Sequence, residues 1–110
     1  MTPGTIVPAK PDTVVGREQA GWRPVLIVST TEYSRHIPDL VMVVPLSSRD
    51  RGLPHHIPVN GDETGLQQPT WALCEQLRAV SATRLGDPRG AADDETLARV
   101  RTTLKRFLGV

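Results

Sequence analysis

Trp22-Arg23-Pro24-Val25-Leu26-Ile27-Val28-Ser29 is the stretch whose reading decides the fold class. A short β-branched apolar run, entered from Gly21 and left through a Ser/Thr cluster, predicts a buried strand. Upstream, Thr13–Gly21 is polar and glycine-containing and reads as a loop, and Thr5–Pro8 as a first short strand. Downstream, Leu40–Leu46 repeats the apolar run. Pro45 near its end implies a bulge or an edge position, because proline brings no N–H to a ladder. Ser47–Gly52 is a charged loop leading into Leu53–Val59, where Leu53, His55, Ile57 and Val59 fall on one face of a strand.

Ten prolines and nine glycines chop the chain into short pieces, which favours strands over long helices. Asn60–Gly65 is a turn cluster with Asn-Gly as its strongest signal. Trp71–Leu77 is another apolar strand, Ser81–Leu85 a single helical turn, and Gly86–Ala91 a loop on composition. The last segment alone reads as a full helix. Asp93, Asp94 and Glu95 crowd its start and Arg101, Lys105 and Arg106 its end, matching both poles of the helix dipole. Leu97, Val100, Leu104 and Leu108 follow one helical face, and Gly109 closes it. The expected fold class is mainly β (α+β), a small, strongly bent antiparallel barrel with a C-terminal helix packed across it.

At 110 residues the chain is expected to form a single domain, residues 1–110. Its longest apolar stretches are too short to cross a bilayer, and the N-terminus shows neither charged leader nor apolar signal core. A soluble, cytoplasmic protein with no membrane partner is expected. One cysteine, Cys74, can close no internal disulfide and builds no cysteine-based zinc framework; a small buried strand residue is expected there. Thirteen basic and twelve acidic side chains nearly cancel, so net charge says nothing about nucleic acid. Eleven of the thirteen bases are arginine, suited to bidentate phosphate contacts, although codon usage in a GC-rich genome produces the same bias.

No phosphate-binding glycine loop and no nucleophile elbow is present. His55-His56 is the one histidine pair. Neighbours on a strand point to opposite faces, so the pair is read as a surface histidine beside a core-edge one, unable to chelate one ion. No metal and no cofactor is expected.

Gly16-Arg17-Glu18-Gln19-Ala20-Gly21-Trp22-Arg23-Pro24, running into Val25–Ser29, resembles the hallmark of the MazF/PemK toxins, a G-x-E-Q-x-G-x-R-P loop that enters an apolar strand. Val-Val-Pro-Leu-Ser-Ser at 43–48, Leu-Pro-His-His-Ile at 53–57, Glu-Gln-Leu-Arg at 75–78 and a terminal helix ending Leu-Gly keep the family's order. The likeness runs from Gly4 to Gly109. It departs at Gly4-Thr5-Ile6-Val7-Pro8, which lacks the family's usual acidic residue and aromatics, and at Leu73, where the PemK branch carries arginine.

The resemblance implies a CcdB-like, SH3-like barrel working as a homodimer, the toxin of a toxin–antitoxin pair. It implies cleavage of single-stranded RNA by attack of a 2′-hydroxyl on its neighbouring phosphate, and a cognate antitoxin as protein partner. By position, Arg23 matches the family's catalytic arginine and Ser47 its catalytic threonine or serine. Glu18 and Glu75 are the carboxylates in matching motifs, either of which could take the proton. Arg17, Gln19, Trp22, Ser48, Arg49, Arg51 and Arg78 are the candidate RNA-binding residues. Each has a plainer use: Arg23 as a salt-bridge partner, Ser47 as a strand end, the loop arginines as a solvated face, Trp22 and Trp71 as packing. Two other functions fit the fold, a CcdB-like toxin that binds DNA gyrase and an RNA-binding module without cleavage.

Overall fold

The computed structural model describes residues 2–10 and 21–110. The described residues form seven strands, two α-helices and two 3-10 turns. Strands β1 (Thr5–Ala9), β2 (Arg23–Ile27) and β3 (Leu40–Ser47) form an antiparallel meander, with Val7 opposite Val25 and Val25 opposite Pro45. On its other flank β3 is shared. Its first half pairs with β6 (Arg78–Ser81) and its last two residues with β5 (Trp71–Leu73), which in turn pairs with β4 (His56–Pro58).

Pro45 therefore lies in the most heavily paired strand and not at an edge. On the shared flank the pairs are Val43 with Arg78 and Leu46 with Ala72, so residues 44 and 45 fall where one partner hands over to the next. Between β5 and β6 the backbone leaves the sheet as the 3-10 turn Cys74–Gln76. The long strand expected over Trp71–Leu77 is thus a three-residue strand and a turn. Cys74 is buried as expected, but it opens that turn.

The runs at 25–28 and 40–46 are apolar at almost every position because both faces of this sheet are covered. One face carries Val7, Ala9, Val25, Ile27, Val41, Val43 and Val80 in the curl of the sheet. The other presents Ile6, Leu26, Val44 and Leu46 to Ile57, Val59 and the helix α2 (Asp94–Leu108) through Val100 and Leu104. Ile6 and Val7 are both fully buried, so β1 forms without the family's aromatics.

Three further expectations change. Leu53 is exposed and β4 begins only at His56, so of the expected face Ile57 and Val59 are buried and His56, not His55, joins them. The stretch at 86–91 contains β7 (Gly90–Ala91), antiparallel to β1. Gly86 N–H donates to Pro8 and Arg89 N–H to Ile6, so proline and glycine there do not prevent backbone pairing. A short helix, α1 (Thr31–His36), is capped by Thr30, whose hydroxyl accepts from Tyr33 N–H at 3.1 Å.

Helix α2 starts where expected. Asp93 caps it by accepting from Thr96 N–H at 2.8 Å, and Gly109, in the left-handed region at φ 72°, closes it. Thr96, Leu97, Val100 and Leu104 face inward, whereas Leu108 is exposed.

Candidate active site

Arg23 opens β2 and Ser47 ends β3, on adjacent strands. Val25 faces Pro45 and Leu26 faces Val44; continued by two residues, the same register sets Arg23 across from Ser47. Side chains directly opposite on one face of a ladder have Cβ atoms about 4.5–5.5 Å apart. Both residues line one cleft of about 560 Å3, together with Trp22, Ser48 and Arg51. Arg23 is exposed and lines the cleft, and among the described residues no carboxylate pairs with it. Ser47 Oγ accepts from Arg49 N–H at 3.1 Å, which fixes the hydroxyl while leaving its proton to donate.

Trp22 stands at the cleft with half its surface exposed. Lys10 Nζ lies 5.9 Å from its ring centroid, a cation–π distance. The ring is seated over Gly86, where a Cβ would meet Pro8 at 2.9 Å and Trp22 at 3.4 Å.

The other candidates divide. Arg17, Glu18 and Gln19 lie outside the described residues, as does most of the loop expected at 13–21. Arg49 is exposed and contributes its backbone N–H, and Arg78 sits on β6 opposite Val43; neither lines the cleft. Glu75 does not line it either. Its two carboxylate oxygens each lie 3.0 Å from His56 Nε2, and one lies 3.4 Å from His55 Nε2. Burial raises the Glu75 pKa, but the hydrogen bond from His56, its own backbone N–H and the two imidazoles outweigh this and hold it below 4.5.

The reading of His55 and His56 as diverging is therefore corrected. Strand alternation begins at His56, so His55, one residue before the strand, is not bound by it, and both rings reach the same carboxylate. Burial, then the neighbouring Glu75 charge, push the Cys74 thiol up to about 11, so it is no nucleophile at neutral pH.

A family model described as PemK-like, MazF-like toxin of type II toxin-antitoxin system matches residues 2–108. The chain belongs to that toxin family. Endoribonuclease EndoA of Bacillus subtilis (strain 168) is 31% identical over 98 residues, covering 88% of this chain and 84% of the relative. Among solved structures, the MazE–MazF complex (Form-II) of Deinococcus radiodurans contains a chain with TM-score 0.84 and 26% identity, spanning all of this chain and 96% of that one. MazF (Form-I) of the same organism superposes with TM-score 0.80 at 26% identity, spanning all of this chain and 97% of that one.

In this toxin the cleft also has a wall that sequence reasoning missed. Gln67, Gln68, Gln76 and Arg89 line it beside the residues already named. Neither Gln67 nor Gln68 stands in a periodic pattern or a motif. Only the fold of the loop between β4 and β5 brings them round.

Proposed function

We propose that this toxin is a metal-independent, sequence-specific endoribonuclease that cuts single-stranded RNA, works as a homodimer and is silenced by a cognate antitoxin. The observation that carries the reading is Arg23 and Ser47 lining one cleft from adjacent strand ends. Two relatives similar over most of the chain bear the name endoribonuclease, which agrees with it.

The chemistry needs few protein groups, because the nucleophile belongs to the substrate. The 2′-oxygen bonds to phosphorus as the bond to the 5′-oxygen breaks, and the departing 5′-oxygen takes a proton from water, leaving a 2′,3′-cyclic phosphate and a 5′-hydroxyl. Negative charge grows on the non-bridging oxygens in between. The forked donors of Arg23 meet that charge, and the Ser47 hydroxyl donates one further hydrogen bond. With Glu75 held by two histidines, Glu18 of the matched motif is the carboxylate left to take the 2′-proton. Arg51 and Arg89 hold flanking phosphates, and Trp22 offers a face for a base to stack on. A largely acidic, extended antitoxin segment would fill the same basic cleft and exclude RNA.

Cleavage of a long single-stranded RNA in excess EDTA, with the ends mapped, tests this. Cyclic phosphate and 5′-hydroxyl ends at a recurring motif are expected. Arg23→Ala should slow cutting about 10²–10³-fold and Ser47→Ala about 10–100-fold. Intact RNA with wild-type protein, or unaltered rates in both variants, would refute the assignment.

A further inference from the structure

Three side chains that the proposed cleavage does not use converge outside the cleft. His55, the residue before β4, and His56, its first residue, both aim Nε2 at Glu75 on the 3-10 turn, at 3.4 and 3.0 Å. One donor atom from each residue lies within 4.8 Å of the other two. We propose that His55, His56 and Glu75 bind a divalent first-row transition ion of the zinc type, independently of RNA cleavage.

The two histidine–carboxylate spacings fit such an ion, and the two imidazoles, whose donor atoms lie within 4.8 Å of each other, close toward it on binding. Bonds of about 2.0–2.1 Å at tetrahedral angles place neighbouring donor atoms about 3.3 Å apart. The two histidine–carboxylate distances, 3.0 and 3.4 Å, bracket that value. Two imidazoles and one carboxylate suit zinc, cobalt or nickel, whereas magnesium and calcium take oxygen ligands. Access and rigidity are divided among the three. The His56 side chain is 1% exposed and gives a fixed anchor; His55 at 27% and Glu75 at 36% leave a way in for the ion and its fourth ligand, a water. Phe107 of α2 packs edge-on to His55, with centroids 5.5 Å apart, and limits how far that ring turns.

Protonation sets the affinity. In the hydrogen-bonded arrangement His56 donates Nε2–H to Glu75, and its buried Nδ1 has no partner among the described residues. An ion on Nε2 moves the proton of the neutral ring to Nδ1, where it becomes a buried donor without an acceptor. His55 is more open, so water can serve its Nδ1–H. Binding is therefore weaker than at a zinc site whose histidines are bonded through both ring nitrogens. It ties together the start of β4 and the turn after β5, and should raise the melting temperature.

Tag-free protein stripped with chelator and titrated calorimetrically with Zn2+ provides the test. One ion per chain is expected, with no heat from Mg2+. His55→Ala and Glu75→Gln should each weaken binding at least about tenfold, while His36→Ala leaves it unchanged. Long-range 15N–1H spectra should show the His56 proton move from Nε2 to Nδ1 on zinc addition. No uptake by folded wild type, full affinity in both ligand variants, or loss of binding in His36→Ala would each overturn the proposal. Zinc uptake and RNA cutting by the stripped protein are separate readouts, so this site and the nuclease reading can fail independently.

Discussion

Cys74 and Glu75 are neighbours in one 3-10 turn with opposite surroundings. The thiol is buried and its pKa raised to about 11. Native protein at pH 8 should therefore resist iodoacetamide and react only after unfolding, as mass spectrometry of the labelled chain would reveal. Rapid native labelling would contradict the packing described. Glu75 shows the reverse shift, its folded pKa lying below 4.5 under the hold of His56 and His55. A depressed carboxyl pKa adds stability that is complete above the unfolded value and fades as pH falls through the folded one. Denaturant midpoints measured downward from about pH 5 should fall less steeply in Glu75→Gln than in wild type. Equal slopes would show that the pair does not contribute. Glu75 was legible as a motif carboxylate. Its partners were not, because alternation along a strand assumed to run from Leu53 set the two histidines on opposite faces, whereas the strand begins only at His56.

Among the elements, β1 to β3 and α2 are readable because length, period and caps agree along each of them. The missing pieces are those that tertiary contact completes. Helix α1 has six residues, too few for a hydrophobic period to register. β7 is two residues long and exists through its pairing with β1. The loop between β4 and β5 depends on the same region. Ala91 N–H donates to Glu63, Asp93 N–H to Asn60, and Asn60 N–H to the buried Thr96 hydroxyl. Gly90 lets this loop approach, since a Cβ there would collide with the Glu63 carbonyl; at Gly65 it would stand 2.5 Å from that of Arg89. Gly90→Ala should cost about 1–3 kcal/mol through overpacking. It should also lower RNA affinity, because the loop carries Gln67 and Gln68 into the cleft. Denaturant titration and RNA binding check both effects, and an unchanged midpoint would show that the loop is not clamped there.

At the scale of the whole molecule, one sheet covered on both faces places its functional groups where strands run out. Curling of β1, β2, β3 and β6 encloses one apolar cluster, and α2 with β4 closes the other. Arg23 and Ser47 sit at neighbouring strand ends, where side chains leave the core and meet the cleft. That placement follows from the sheet's register, and the chemistry proposed for it is attack by the substrate's own hydroxyl. The most direct measurement is cleavage of two RNA oligonucleotides of identical sequence containing the recognised motif, one with a single 2′-deoxy nucleotide at the scissile position. The account predicts cutting of the all-ribose strand and none at the substituted bond, with binding of the two alike. Cutting at the 2′-deoxy position at a comparable rate would contradict it.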